Sequence, residues 1–471
     1  MELDDIRTIV VLGLRRSGRP AALLARRRLP DVEVVGMDEA AELPADTLEA
    51  LAAGGVVVRL GSEAVLPAAV DVLVKSPGVP DASPVMRAAL RGGVTVWSEV
   101  EFASRFLPNR IIGITGTNGK TTTTELTGAI LRDAGLPAVV GGNLGYALAE
   151  MPDVVAPEAT IVAELSSFQL EHIEKFRPHV AVLLNLTEDH VDRHGSYGAY
   201  AAAKLRIFAN QTRDDLALLN ADDPGTLDES PSVRALGAAR RAWFSARHGH
   251  VAHGMVAGVR DDDMLWLERG GEHVTLCHSS ELALKGVHNL QNSLAAAAAA
   301  AAQGVPSSAV AETLRTFKGV PHRLQVAGVV DGVTYVNDSK ATNVDATLKA
   351  LTAYSGAVHL ILGGYDKGAT YDDLAAATEG LVKEVFLIGA TAPRLAAAFA
   401  ARRAVRGVGA TPARVCHDLA AAMAAASRAA VAGDVVLLSP ACASWDQYRD
   451  YVERGEHFLR AVSELRGAGA G

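Results

Sequence analysis

The residues best suited to do chemistry lie in Thr115-Gly116-Thr117-Asn118-Gly119-Lys120-Thr121, directly after the apolar run Ile111-Ile112-Gly113-Ile114. At a junction between a strand and a helix, the backbone N–H groups of such a loop surround phosphates. Lys120 would contribute a point charge there, and the Thr121 hydroxyl can ligate Mg2+. The strict spacing of a phosphate loop would place glycine at 114, where Ile114 stands, so this is a variant with its glycine at 116. The expected nucleotide contacts are Gly116, Thr117, Asn118, Gly119, Lys120, Thr121 and Thr122. A GTPase base reader of the form Asn-Lys-x-Asp is absent, and on the loop alone a kinase for a small alcohol stays open.

Metal and activation candidates follow the loop. Glu164 ends the run Ile161-Val162-Ala163, and a carboxylate at the carboxyl end of a buried strand faces the ligand crevice of an open α/β sheet. Mg2+ bound with phosphate takes one or two carboxylates plus water, which suits Glu164. His190, in Asn185-Leu186-Thr187-Glu188-Asp189-His190, offers a second hard site, with a plain loop histidine as the alternative. His190 and His194 are four apart, but Val191 stands where a zinc-protease helix needs glutamate. Lys204 sits in the helical stretch Tyr200 to Phe208. It reads either as a solvated lysine or as a buried amine of lowered pKa that takes up CO2 and becomes an anionic metal ligand.

These groups need rigid elements to position them. Short apolar runs recur, as in Thr8-Ile9-Val10-Val11-Leu12, Val180-Ala181-Val182-Leu183-Leu184 and His359-Leu360-Ile361-Leu362, each followed by a turn and a helix-like segment. The runs are continuous rather than alternating, which is how strands buried on both faces read. An α/β fold with mainly parallel sheets flanked by helices is expected. Breaks near Pro108 and Gly319 divide the 471 residues into 1–108, 109–319 and 320–471, in keeping with about 150 residues per domain. Between Ala242 and Leu276 the alternation and glycine pairs predict a small antiparallel excursion.

In the first segment the run to Leu12 leads into Gly13-Leu14-Arg15-Arg16-Ser17-Gly18. A strand, a glycine loop and a helix start form an anion site, but the dinucleotide fingerprint needs glycine at position 15, where Arg15 stands. That substitution argues against NAD and leaves another nucleotide diphosphate open. Asp38 ends the next strand at a spacing that suits a ribose contact or a plain strand end.

Net charge is −9, from 45 Lys+Arg against 54 Asp+Glu, and aromatics are only 5%. Neither favours a nucleic-acid coat, which would normally be basic and rich in stacking side chains. Cys277, Cys416 and Cys442 are odd in number and far apart, so a disulfide framework or thiolate zinc site is not expected. An acidic start without an apolar leader and the lack of a membrane-length apolar stretch point to a cytoplasmic protein.

Taken in order, the phosphate loop, Glu164-Leu165-Ser166-Ser167-Phe168-Gln169, Glu188-Asp189-His190 and Lys204 resemble the Mur ligases, ATP-dependent amide ligases of bacterial cell-wall synthesis. The resemblance continues through His288-Asn289-Leu290-Gln291-Asn292, Pro321-His322-Arg323 and Asn337-Asp338-Ser339-Lys340-Ala341-Thr342-Asn343. It ends with Gly363-Gly364-Tyr365-Asp366-Lys367-Gly368 and Ser439-Pro440-Ala441-Cys442-Ala443-Ser444-Trp445-Asp446, covering essentially the whole chain. The segment from Asn337 to Asn343 looks like that of the D-glutamate-adding branch of the family.

The resemblance implies three domains: a Rossmann-like first domain for a UDP-linked substrate, a P-loop ATPase-like central domain and a Rossmann-like C-terminal domain for the amino acid. It implies that Leu14, Arg15, Asp38, Ser76 and Gly78 hold the UDP part, with Asn143 and Ser166 on the muramoyl substrate. Glu39 replaces the hydroxyl residue the family often carries after Asp38, which bears on the uracil contact there. ATP would meet Asn292 near adenine, Asp338 near ribose and Arg323 near the phosphates. D-glutamate, a dicarboxylate that needs cations and hydroxyl donors, would meet Lys340, Thr342, Lys367, Ser444 and Tyr451. Catalysis would rest on Lys120, Glu164, His190 and Lys204. Thr121, Glu164, His190 and a carbamylated Lys204 would hold two Mg2+ ions. A monomer acting on small molecules, with no nucleic-acid or membrane partner, is expected. The rivals are a related ligase such as folylpolyglutamate synthase, a non-catalytic nucleotide-binding scaffold and an NAD-dependent oxidoreductase.

Overall fold

The computed structural model describes residues 1–468 apart from 64, 227–236, 251–252, 318 and 366–368. Lys367, expected to grip the amino acid, lies outside the described residues. Two compact units emerge, Met1–Lys318 and Gly319–Gly471, and among the described residues the strands form three sheets.

The first sheet contains β1 (Thr8–Leu12), β2 (Glu33–Asp38), β3 (Val57–Leu60), β4 (Val72–Lys75) and β5 (Thr95–Ser98). Their order is β3-β2-β1-β4-β5, and every pairing is parallel. The chain winds one way from β1 to β3 and then returns beyond β1 to β4. The carboxyl ends of β1 and β4 therefore flank a topological switch point, where open α/β sheets take their ligands. Apart from half-buried Thr8 at the start of β1 and buried Lys75 at the end of β4, both strands are apolar and buried, as both faces are covered.

The second sheet of the same unit contains β6 (Ile111–Thr115), β7 (Ala138–Gly142), β8 (Thr160–Glu164), β9 (Val180–Leu183) and β10 (Leu216–Asn220). It continues through β11 (Arg240–His248), β12 (Met255–Val259), β13 (Met264–Arg269) and β14 (Glu272–His278). The order β14-β13-β12-β11-β10-β9-β6-β8-β7 again reverses at the strand that feeds the phosphate loop, β6. The expected antiparallel excursion is the β12–β13–β14 edge; β11, also inside the predicted span, pairs in parallel with both β10 and β12.

One apolar cluster joins the two sheets. It runs from Ile9 and Val74 through Trp97, Val100 and Phe102 to Leu148, Met151, Ile161 and Leu165. Residues Glu99–Ser104 form a helix packed on the 3-10 turn Leu148–Asp153, so the break read near Pro108 is covered by a common core. Burial of apolar surface contributes roughly 25 cal/mol per Å2, which is why the two halves behave as one compact unit.

The second unit has β15 (Gln325–Val330), β16 (Val333–Asn337), β17 (Val358–Gly363), β18 (Val382–Ile388), β19 (Ala413–His417) and β20 (Val435–Leu438). In the order β15-β16-β20-β17-β18-β19 only the β15–β16 pair is antiparallel. The carboxyl ends of β16, β20 and β17 lie side by side. Cys277, Cys416 and Cys442 are all buried and unbridged. Among the described residues no helix is long and apolar enough to cross a membrane.

Candidate active site

The glycine loop after β6 is shaped by conformations that side-chain-bearing residues avoid. Gly116 has φ +151° and Gly119 has φ +82° before the helix Lys120–Asp133 begins. The loop is bonded to the segment after β9: Asn118 N–H donates to Asn185 Oδ1 at 2.8 Å and Thr117 N–H to Asn185 O at 3.0 Å. Lys120 Nζ curls back onto the carbonyls of Gly116 and Thr117, at 2.9 and 2.8 Å. This is an anion cradle with its cation already in place at a helix N-terminus.

Glu164 ends β8 beside it, as its strand position predicted. One carboxylate oxygen accepts from the Thr121 hydroxyl at 2.7 Å and the other from Asn143 Nδ2 at 2.8 Å. The group is buried, with a hydroxyl and a carboxylate in contact at the loop's end. That donor set fits a hard cation carrying phosphate.

Lys204 is buried, not solvated. Its Nζ donates to Gly116 O at 2.8 Å and lies 4.7 Å from the centre of the Tyr200 ring. Burial, then repulsion from Lys120, pushes its pKa well below the ordinary lysine value. The lowered pKa raises the share of neutral amine, the form whose lone pair CO2 requires. Tyr200 donates its hydroxyl to Thr117 Oγ1 at 2.9 Å, and burial raises its pKa.

His190 is exposed and sits at φ +50°, just ahead of the short helix Val191–His194. Its ring lies 5.1 Å from that of Phe168, edge to face, and its Nε2 is 3.7 Å from Asp189 Oδ2. His194 takes the enclosed position instead. It meets Ser167 Oγ at 3.0 Å and stacks on Phe168, and burial lowers its pKa.

Two adjoining cavities collect most of these groups. The first, about 470 Å3, lies at the β1–β4 switch point and is lined by Arg15, Asp38, Ser76, Gly78 and Asn143. The second, about 380 Å3, is lined by Lys120, Ser166, His190 and Lys204, and shares Pro77, Gly78 and Asn143 with the first. Leu14 is the exception: its side chain is in the core, and its N–H donates to Asp38 Oδ2 at 2.9 Å. Asp38 spends its other oxygen on Ala40 N–H at 3.0 Å, so its carboxylate shapes the loop as well as facing the cavity. Glu39 also lines the first cavity, its carboxylate near Val85 N–H at 3.4 Å.

Asn292 is buried against the loop, accepting from Thr123 Oγ1 at 3.3 Å. Its helix, Val287–Ala301, has Gly286 at the N-cap position, so Asn289 lies inside the helix and does not cap it. Asn289 donates instead to Lys285 O at 2.8 Å.

In the second unit the strand ends carry the remaining candidates. Asp338 is buried, accepting from Leu324 N–H at 3.2 Å and the Ser439 hydroxyl at 2.7 Å, and burial raises its pKa to about 6. Arg323, the residue before Leu324, is exposed, and the neighbouring His322 carbonyl accepts Lys340 N–H at 3.0 Å. Lys340 Nζ lies 5.6 Å from the Tyr451 ring centre. Thr342 is half-buried and Ser444 buried. Arg454 gathers these loops, donating to Ser339 Oγ at 3.0 Å and to the carbonyls of Ser339 and Cys442 at 2.9 and 3.1 Å.

Reasoning from sequence missed Arg16, Asn185, Arg193, Tyr200 and Arg454. Arg16 lines the first cavity and donates to Gly145 O at 3.2 Å. Arg193 and Tyr200 line the second. Arg16, Asn185 and Tyr200 stood inside motifs named above and carried a signal; Arg193 and Arg454 had none in local spacing.

Comparison with known proteins gives this geometry a family. Residues 114–300 match the Mur ligase middle domain and 322–442 the Mur ligase, glutamate ligase domain. A UDP-N-acetylmuramoylalanine–D-glutamate ligase of Pelotomaculum thermopropionicum is 42% identical over 460 residues, covering 97% of this chain and 98% of the relative. The protein of the same name from Myxococcus xanthus is 43% identical over 461 residues, at 97% and 98% coverage. Among solved structures, a UDP-N-acetylmuramate–alanine ligase from Thermotoga maritima shares the fold, with a TM-score of 0.56 at 19% identity, over 97% of this chain and 99% of that one. On the strength of the full-length relatives and the two matched domains, the chain belongs to the Mur ligase family.

Proposed function

We propose that this chain joins D-glutamate to UDP-N-acetylmuramoyl-L-alanine, releasing ADP and phosphate, in peptidoglycan precursor synthesis. The observation that carries this reading is the pair of adjoining cavities. One is at a nucleotide-binding switch point, the other surrounds Lys120 and Lys204, and the two share Gly78 and Asn143. A substrate with a UDP end and a carboxylate end fits such a passage. An NAD enzyme would need glycine at Arg15, and folylpolyglutamate synthase has no use for a UDP cavity.

In this reading residues 1–108 take the UDP end, 109–319 take ATP and 320–471 take the amino acid. Arg15, Asp38, Ser76 and Gly78 face the nucleotide, with Leu14 acting through its backbone, and Asn143 and Ser166 face the muramoyl part. Gly116 to Thr122 cradle the phosphates and Asn292 meets adenine. Arg323 and Asp338 are assigned to phosphate and ribose, and Lys340, Thr342, Ser444, Tyr451 and Lys367 to D-glutamate. The protein acts in the cytoplasm, where ATP and UDP-sugars are found, and as a monomer.

A carboxylate is a poor acyl donor because oxide is a poor leaving group. The substrate carboxylate attacks the γ-phosphate, giving an acyl phosphate and ADP. The D-glutamate amine then attacks the acyl carbon and phosphate departs. Lys120 stabilises charge on the transferring phosphoryl group. Thr121 and Glu164 would hold one Mg2+, and His190 with a carbamylated Lys204 a second; the ions would reduce repulsion between the carboxylate and phosphate anions. No protein nucleophile is required.

The test is a substrate panel. ADP release is expected only with UDP-N-acetylmuramoyl-L-alanine and D-glutamate together. Preference for L-glutamate, L-lysine or diaminopimelate would refute the D-glutamate assignment, and indifference to the UDP substrate would refute the first cavity's role.

The phosphate loop makes its own prediction. A Cβ at Gly119 would lie 2.3 Å from Asn292 Oδ1, at a φ that alanine adopts with strain. Gly119→Ala should therefore raise KM for ATP by roughly tenfold or more, the cost of a 1–3 kcal/mol distortion. An unchanged KM would show that ATP does not depend on this turn.

A further inference from the structure

Resting on that reading and going beyond it, we infer that Arg193 is a positioning residue that keeps the two cavities in register for the UDP-linked substrate. One nitrogen of its guanidinium donates to the carbonyls of Pro77 at 2.6 Å and Val79 at 2.8 Å. The guanidinium carbon lies 3.9 Å from the centre of the Phe168 ring. A single side chain thus ties the short helix after β9 to the segment after β8 and to the loop after β4, whose Pro77 is 116 residues away in sequence.

The residue between the two carbonyls is Gly78. A Cβ there would meet nothing within 4 Å, and Pro77 and Gly78 line both cavities. The backbone held by Arg193 is therefore bare wall where the cavities adjoin. Its other anchor, Phe168, lines the second cavity alongside His190. The His190 carbonyl in turn accepts the N–H groups of Arg193 and His194, at 3.1 and 3.0 Å. The left-handed backbone at His190 is thus joined through Arg193 to the wall of the substrate passage. Arginine suits this place because a planar, permanently charged group can both stack on an aromatic face and bond two carbonyls; lysine keeps the charge without the plane.

A latch of this kind acts on one substrate and on the chemical step, not on every ligand. Shifting reacting groups by about 1 Å lowers rates steeply. The experiment compares the full-length wild type with Arg193→Met, which keeps apolar packing on Phe168 but cannot donate, and with Arg193→Lys. KM values for UDP-N-acetylmuramoyl-L-alanine, ATP and D-glutamate are measured along with kcat and the thermal midpoint. For Arg193→Met we expect about a tenfold rise in KM for the UDP substrate and a fall in kcat, with the other two KM values within about twofold. Arg193→Lys should recover part of the loss. A methionine variant with wild-type kinetics overturns the inference. So does one whose three KM values rise together with a lowered midpoint, since that is general loosening. A wild-type chain that does not turn over the UDP substrate at all overturns the functional reading, and the latch with it.

Discussion

Lys204→Ala lowers kcat by about a thousandfold or more and leaves the fold in place, the scale expected when a preorganised charge beside the reacting groups is lost. The fold survives because Gly116 O keeps Lys120 Nζ as a donor at 2.9 Å when the 2.8 Å bond from Lys204 goes. On the proposed mechanism activity should not survive, because alanine cannot carry a carbamate. In the wild type the amine is deprived of water and lies near Lys120, and both influences favour its neutral form. Among the described residues no carboxylate pairs with it. Attack of that amine on CO2, with loss of a proton, replaces a repelled cation with an anion that Lys120 attracts. Wild-type turnover should accordingly fall when CO2 and bicarbonate are stripped and return on adding bicarbonate, while the variant responds to neither. A variant with near-normal turnover ends the proposal, and so does a wild type indifferent to CO2.

The second large effect concerns stability. Glu99 is buried at the start of the helix Glu99–Ser104, with one oxygen accepting Ala149 N–H at 2.7 Å and the other without a hydrogen-bond partner. Burial raises its pKa from 4.5 to about 7, opposed by the Ala149 bond and by Arg16, and assisted by Glu150. The folded chain therefore holds this proton more tightly than the unfolded one. The stability contribution is complete below about 4.5 and is lost as pH rises through about 7. A shift of that size corresponds to about 3 kcal/mol. Glu99→Gln cannot ionise, so the variant should gain on the wild type by about that amount between pH 5 and pH 8. Denaturant unfolding of both proteins at the two pH values measures the difference. Parallel pH dependences would show that Glu99 is ionised in the fold throughout. The position matters beyond stability: the Ala149 bond anchors the turn after Asn143, and Ala147 in that turn lines the first cavity.

The parts of the site legible in sequence are those whose meaning is local. A loop of two glycines, a lysine and a threonine after an apolar run has one economical conformation, and Gly116, Gly119 and Lys120 adopt it. Glu164 could be placed because the end of a buried strand opens on the crevice whatever the strand pairs with. The continuous runs that predicted parallel strands became β1, β6, β8, β9 and β17, each buried along its length but for Thr8 at the start of β1. The antiparallel stretch was placed in the right region but not in register, since β11 has the same mixed pattern as its neighbours and pairs in parallel for reasons of sheet order. Leu14 was named as a contact from the family resemblance; the fold turns its side chain into the core and leaves its N–H to Asp38.

The sequence by itself determined the element types, the phosphate loop and the family's ordered motifs, because each depends on residues within a turn or two of one another. Only the tertiary structure decided whether Lys204 is solvated or buried. A lysine on a helix reads the same whether it faces water or Gly116 O; burial, then repulsion from Lys120, lowers its pKa. Tertiary structure also set Arg193 on the carbonyls of Pro77 and Val79, 116 and 114 residues away, and raised the pKa of Glu99. These properties come from the distance to water and to groups distant in the chain, and local spacing carries no record of either.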